Sequence, residues 1–291
     1  MHLRPLLWLA PCALFFGAHS ASPRSKAQET ALQGGPEKVQ EETPAQAELR
    51  FGPDQAWLAI PVQLEVTHDY LEFLLVNPHG AVHESLLSTE VDAQVLNTAF
   101  LAMGLEPGSN ARWEARGSDP LDPSTLGVQG PRPGGAAAPA RDQYQVIPPT
   151  GDGLYLHLAW REGDEWFFYR LEDLVRDLDR ARTLRRHKFV YLGSYMTEEV
   201  RSGTPRFAAS LEGNLINAAF FKNGATLLTT AVEECDKQSN WLANAWLLPD
   251  RGSSMQLVFA KQPLLQMPSE LASSLVTLPA LQAEPTEERA R

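Results

Sequence analysis

"LEDLVRDLDRARTLRRHK", Leu171–Lys188, is the stretch on which the fold class turns. Leu171, Leu174, Val175, Leu178, Ala181 and Leu184 recur at helical spacing and make one apolar stripe. Glu172 and Asp173 stand at its start and Arg182, Arg185 and Arg186 at its end, the charge order that a helix dipole prefers. Read this way, the stretch is an amphipathic helix that follows the strand "WFFYR", Trp166–Arg170. A second stripe, Val91, Val95, Ala99, Phe100 and Met103, begins after the capping residues Thr89 and Asp92 and stops at Gly104.

Around these helices lie strand-like runs at 57–66, 70–76, 154–160, 166–170, 189–195 and 255–261. Short turns at Asn77–Gly80 and Arg161–Glu165 favour antiparallel pairing, and Pro61 demotes the first run to an edge or bulged strand. Strands and helices do not alternate in strict order, and no internal repeat is visible. The expected fold is therefore α+β, a mostly antiparallel sheet with a few packed helices.

The flanks are of a different kind. Residues 1–20 combine Arg4, an apolar run from Leu6 to Phe16, and Ala18 and Ser20 spaced for cleavage, which reads as an export signal. That run falls short of the roughly 20 residues a spanning helix needs, so the mature chain is expected to carry no transmembrane span. "LAPC", ending at Cys12, is a poor lipoprotein box because Pro11 precedes the cysteine. Residues 21–50 read as a disordered leader, 51–270 as one domain with a Pro/Gly-rich loop at about 106–150, and 271–291 as a tail. With the signal removed, Cys235 is the only cysteine, which excludes an intrachain disulfide and a cysteine-bound cluster or zinc site. A net charge of −11 argues against nucleic acid as a partner.

Chemistry is sought first in "NPHGAVHESLLSTEVDAQ", Asn77–Gln94, where His83, Glu84 and Ser85 are consecutive. If 81–87 is a strand, His83 and Ser85 share one face and Glu84 takes the other, which works against a shared catalytic site. Leu87 stands where a zinc-peptidase helix would carry its second histidine, so no metal site is expected. Arg170, Glu172 and Asp173 stand where "WFFYR" enters its helix, and Asn214 and Asn217 flank the middle of "NLIN". "NWLANAWLLPD" sets Trp241 and Trp246 beside Asn240 and Asn244, a pairing of indoles and amides that suits a sugar.

Several blocks together resemble the YdjY domain family. They are "VHESLLSTEVDAQVLNTAFLAMGLEPG", "WFFYRLEDLV", "KFVYLGSY", "RFAASLEGNLI" and "NWLANAWLLP", in that order across most of 51–262. The long Pro/Gly insertion after Gly108 departs from the family's compact pattern. The resemblance implies an exported bacterial envelope protein, periplasmic or secreted, and brings no reaction, cofactor or residue role with it. The expected function is a non-catalytic envelope module without a cofactor that binds a protein or a glycan. The candidate ligand-binding residues are His83, Glu84, Arg170, Glu172, Asp173, Asn214, Trp241 and Asn244. The alternative is a hydrolase, or a carrier of ligand or metal, that uses His83 or Glu84.

Overall fold

Along Trp57–Leu64 (β1) the side chains alternate between two apolar surroundings: Leu58, Ile60, Val62 and Leu64 enter the main core, whereas Trp57 and Ala59 enter a second cluster on the opposite face. The strand is thus covered on both sides. A computed structural model describes residues 49–115, 144–199, 203–273, 275 and 277–278. The signal, most of the leader, the middle of the Pro/Gly-rich loop and the last residues of the tail lie outside the described residues.

Seven further strands join β1: Phe73–Val76 (β2), Ser85–Ser88 (β3), Gly153–Glu162 (β4), Phe189–Tyr191 (β5), Asn214–Asn217 (β6), Leu228–Thr229 (β7) and Ser254–Ala260 (β8). Their order is β1-β8-β4-β5-β7-β6-β2-β3, and β3 pairs back onto β1 through Ser88 with Gln63 and Leu87 with Leu64. The result is a closed eight-stranded barrel, which corrects the expected α+β fold. The helices among the described residues are short: Ala93–Ala102 (α1), Ala208–Glu212 (α2) and Ser269–Ala272 (α3). The sheet is also mixed, because β2 runs parallel to β3 and β6 parallel to β7.

Chain length explains why the short turn after β2 does not make a hairpin. A four-residue strand is only about 13 Å long. The link from Asn77 to Glu84 can therefore carry the chain back to the strand's starting end. Asn77 holds this return, since its buried side-chain amide donates to the carbonyls of Thr89 and Val91 at 2.8 and 2.9 Å. Pro61 is accommodated without making β1 an edge. Arg50–Phe51 pairs with Leu58 and Ala59, and β3 pairs with Gln63 and Leu64, so Pro61 faces the gap between these partners. There the Thr89 hydroxyl donates to its carbonyl at 2.8 Å.

The stretch Leu171–Lys188 is not a helix. Leu171–Leu174 makes a single 3₁₀ turn, Val175–Asp177 pairs with Arg182–Thr183 in a hairpin, and Trp241–Ala243 adds a third strand. Leu171, Leu174, Val175 and Leu184 are buried as the stripe requires, but Leu178 and Ala181 are exposed at the hairpin turn. Side-chain charge pairing replaces the helix dipole as the destination of the arginines. Arg182 and Arg185 reach the buried carboxylate of Glu234 at 3.2 and 2.9 Å, and Arg186 reaches Asp173 at 2.8 Å. Arg170 pairs with Glu172, which is fully buried, and donates to the carbonyl of His187 at 3.0 Å.

Helix α1 forms close to the expected place. The Asp92 carboxylate accepts from the backbone N–H groups of Gln94 and Val95 at 2.7 and 3.4 Å. Its buried face is rotated from the expected stripe: Leu96 is buried and Val95 exposed. Phe100 meets the edges or faces of Tyr191 and Phe259 at centroid distances of 5.7 and 5.0 Å, which ties the helix to the barrel. Near the end of the described residues, Leu271 is fully buried and Thr277–Leu278 pairs with the end of β4.

Removing one member of a buried ion pair strands the other charge. Glu172→Gln is therefore expected to lower unfolding free energy by about 3–5 kcal/mol, whereas the apolar double replacement of Arg170 and Glu172 recovers most of the loss. Urea denaturation of both variants checks this.

Candidate functional site

Asn214 and Asn217 are three residues apart, and strict strand alternation would send their side chains to opposite faces. The pairing of β6 with β2 is irregular, however, with register shifts between Asn214 and Ile216 and again between Ile216 and Asn217. This break in alternation brings both amides to one wall. They border a cavity of about 150 Å³ together with Phe73 of β2. The loop between β6 and β7 adds Phe221, Asn223 and Thr226, and Glu212 of α2 completes the lining.

Gly213 sets this corner. It ends α2 in the left-handed conformation at φ +73°, between the two lining residues Glu212 and Asn214. Its carbonyl accepts from the N–H of Asn77 at 2.7 Å. A Cβ on Gly213 would come within 2.8 Å of the backbone nitrogen of Gly80, so a side chain is excluded by conformation and by contact.

The lining combines aromatic and polar groups. Phe73 and Phe221 stack at 5.1 Å with an interplanar angle of 7°. The Thr226 hydroxyl lies near the carbonyls of Leu215 and Leu228, at 2.7 and 3.1 Å. Asn214 Oδ1 accepts from the N–H of Ala81 at 3.3 Å, and the Asn223 side-chain amide donates to Glu212 at 3.3 Å. Asn217 is the exception: it is 4% exposed, and its Oδ1 is buried with no hydrogen-bond partner. A buried amide oxygen left unpaired costs about 1–3 kcal/mol.

The eight candidate residues fall into three places. His83 and Glu84 lie in the 3₁₀ turn Val82–Glu84, so the expected alternation does not apply to them. Their side chains approach to 3.7 Å at the surface, and Ser85 is buried with its hydroxyl donating to the carbonyl of Leu87. Arg170, Glu172, Asp173, Trp241 and Asn244 gather around the hairpin described above. Asn244 donates to the carbonyl of Asp173 at 2.9 Å, and Trp241 is fully buried, its indole N–H unpaired. That placement removes Trp241 from any sugar-binding surface, while Trp246 is 88% exposed. Asn214 alone of the eight borders the cavity. Glu72 was not singled out by the sequence; its carboxyl is pushed up by burial and then by the neighbouring Glu84 carboxylate.

Among the described residues no group of three His, Cys, Asp or Glu side chains could hold a metal ion. Burial pushes the Cys235 thiol up, away from the thiolate form. No described helix is long and apolar enough to cross a membrane. No protein-family model, curated protein or solved structure matches the chain.

Two predictions follow from these positions. Gly213→Ala should cost about 1–3 kcal/mol in denaturant unfolding, since the left-handed backbone and the Gly80 contact both oppose a Cβ. His157 is 1% exposed and stacked on Phe168 at 5.0 Å; the backbone of Leu264 and Tyr155 approaches its ring without completing a well-formed hydrogen bond. Burial first, and then the Arg170 guanidinium, push its pKa from 6.5 down to about 4. Between those values the unfolded chain binds more protons, so this stabilisation is complete above pH 6.5 and falls away as pH drops toward 4. The loss is roughly 3 kcal/mol. The half-buried imidazole of His187, also pushed down by desolvation, acts with the same sign. Urea titrations from pH 7 to pH 4 should show a shallower decline in His157→Phe than in the wild type.

Proposed function

We propose that the chain is an exported, non-catalytic binding module of the bacterial envelope that takes a small polar ligand in the cavity between β6, β2 and the Phe221–Thr226 loop. The Asn217 side chain carries this reading: it lines the cavity, is almost fully buried, and its amide oxygen has no hydrogen-bond partner in the protein. A nearly buried amide that lines a cavity and is left unsatisfied is a group that a polar ligand would complete. The stacked phenyl rings beside it offer cover for a short carbon skeleton. Export is supported by the N-terminal charge, apolar run and cleavage spacing, and the envelope by the succession of YdjY-like blocks.

A hydrolase using His83 or Glu84 has less support. The two side chains meet each other at the surface, and the nearby Ser85 hydroxyl is buried and donates to a backbone carbonyl. A nucleophile must instead be in reach of its base.

The test is a titration followed by amide chemical shifts in a two-dimensional NMR spectrum. Small amines, polyols, amides and carboxylates are added in turn to millimolar concentration. At least one class should shift the backbone amides of Asn217, Phe221 and Thr226 in a saturable way while those of α3 stay fixed. If every class leaves the cavity amides unmoved, the binding reading fails.

A further inference from the structure

The side-chain groups left free in the cavity narrow the ligand, and this step rests on the binding reading above. We infer that the cavity takes a secondary acetamide, the CH3–CO–NH– group of an N-acetylated small molecule whose uncharged remainder stays at the mouth. Donors lie on the inner side. Asn217 is almost fully buried and its Oδ1 is enclosed, so the NH2 is the polar group that this side chain can present to the cavity. Asn214 is alike: its Oδ1 accepts from the N–H of Ala81, which leaves its NH2 for the cavity. Among the described residues neither NH2 donates to a protein acceptor. The rim supplies an acceptor. Glu212 is exposed, and its carboxylate has lone pairs for a further donor beside the long contacts of 3.3 and 3.4 Å from Asn223. Thr226 has backbone carbonyls within reach of its one proton and adds no donor.

Donors within and an acceptor at the mouth call for a ligand that accepts and donates through different atoms. An amide does this: its carbonyl oxygen accepts, and the N–H on the neighbouring atom, directed to the other side in the trans form, donates. An ammonium would leave both asparagine donors unanswered, a ketone brings no proton for Glu212, and a carboxylate brings none and is repelled as well. Burial sets the order of entry. Phe73, Asn217 and Thr226 are buried, Asn214 and Phe221 half-buried, and Glu212 and Asn223 exposed. The acetyl methyl therefore enters against the two phenyl rings, the carbonyl meets the asparagine NH2 groups, and the N–H faces Glu212 with the rest of the molecule outside. Size agrees. At about 30 Å³ per water in the liquid, a cavity of about 150 Å³ has room for about five non-hydrogen atoms, enough for an acetamido group and too few for a sugar ring. The Glu212 carboxylate and a net charge of −11 both oppose an anionic remainder.

Three probes of closely similar size test the group itself: N-methylacetamide, butan-2-one and propionate. The full-length mature protein is titrated with each, and dissociation constants are read from the Asn217 and Thr226 amide shifts. N-Methylacetamide is expected to bind at least about fivefold more tightly than butan-2-one, and propionate not to saturate. Glu212→Ala is expected to remove that advantage, weakening N-methylacetamide by about fivefold while leaving butan-2-one unchanged. Because Glu212 is exposed, the melting temperature of that variant should stay at the wild-type value, which separates lost binding from lost folding. Equal or tighter binding of butan-2-one or propionate overturns the acetamide inference and leaves the cavity as a binding site, and so does an unchanged N-methylacetamide affinity in Glu212→Ala. N-Acetylglucosamine and N-acetylglycinamide then separate an amino sugar from an amino acid as the source of the group. The source is the one that binds at least about tenfold more tightly than N-methylacetamide; if neither does, the placement of the remainder at the mouth is overturned. If no probe, and no member of the wider panel, moves the cavity amides, the binding reading falls as well.

Discussion

The pairing of Gln63 and Leu64 on β1 with Ser88 and Leu87 on β3 is the constraint from which the rest of the structure follows. Without it the sheet would be an open ribbon with two edges of unpaired backbone groups. Closure removes those edges, and it encloses the side chains of Leu58, Ile60, Leu156, Leu158, Leu257 and Phe259 in one interior. It also requires β2 and β3 to lie side by side with the same direction, which the short return through Asn77 makes possible. The second cluster, on the outer face of β1, β4 and β8, is covered by Leu271 and the partly buried side chains near it.

The cavity is a consequence of irregularity within that closed sheet. A perfectly alternating β6 could not direct Asn214 and Asn217 to the same wall; the register shifts against β2 do so, and Gly213 turns the chain tightly enough to bring Glu212 beside them. The same features that disturb the ladder leave the Asn217 oxygen without a protein donor. Local irregularity and an unsatisfied polar group are thus found together at one place.

Away from the cavity, the polar residues of Arg170–Arg186 make a different kind of structure. Glu172, Asp177 and Glu234 are buried carboxylates, and each has an arginine partner. Asn240 connects the layer further, donating to Asp177 at 2.8 Å and accepting from the N–H of Asp179 at 2.9 Å. These charges hold the hairpin and the Trp241–Ala243 strand in one arrangement. Each carboxylate is matched by a guanidinium, the arrangement that compensates a buried charge.

The sequence by itself determined the local elements. The alternation of β1, β4 and β8, the strand Glu165–Arg170 and the Asp92 cap of α1 are written in residues next to or near one another, and each is legible without the fold. Among the site residues, Asn214 was within reach because Asn and Gly cluster there, but nothing local distinguished it from a simple turn. Tertiary structure decided the rest. The apolar spacing of Leu171–Leu184 fits a helix as well as a turn followed by a hairpin, and only the distant partners Glu234 and Trp241–Ala243 select the hairpin. Closure of the barrel, the parallel joins and the common orientation of Asn214 and Asn217 likewise depend on pairing between strands far apart in the chain. The period of side chains along a strand is a local property, whereas the identity and register of its neighbours are not.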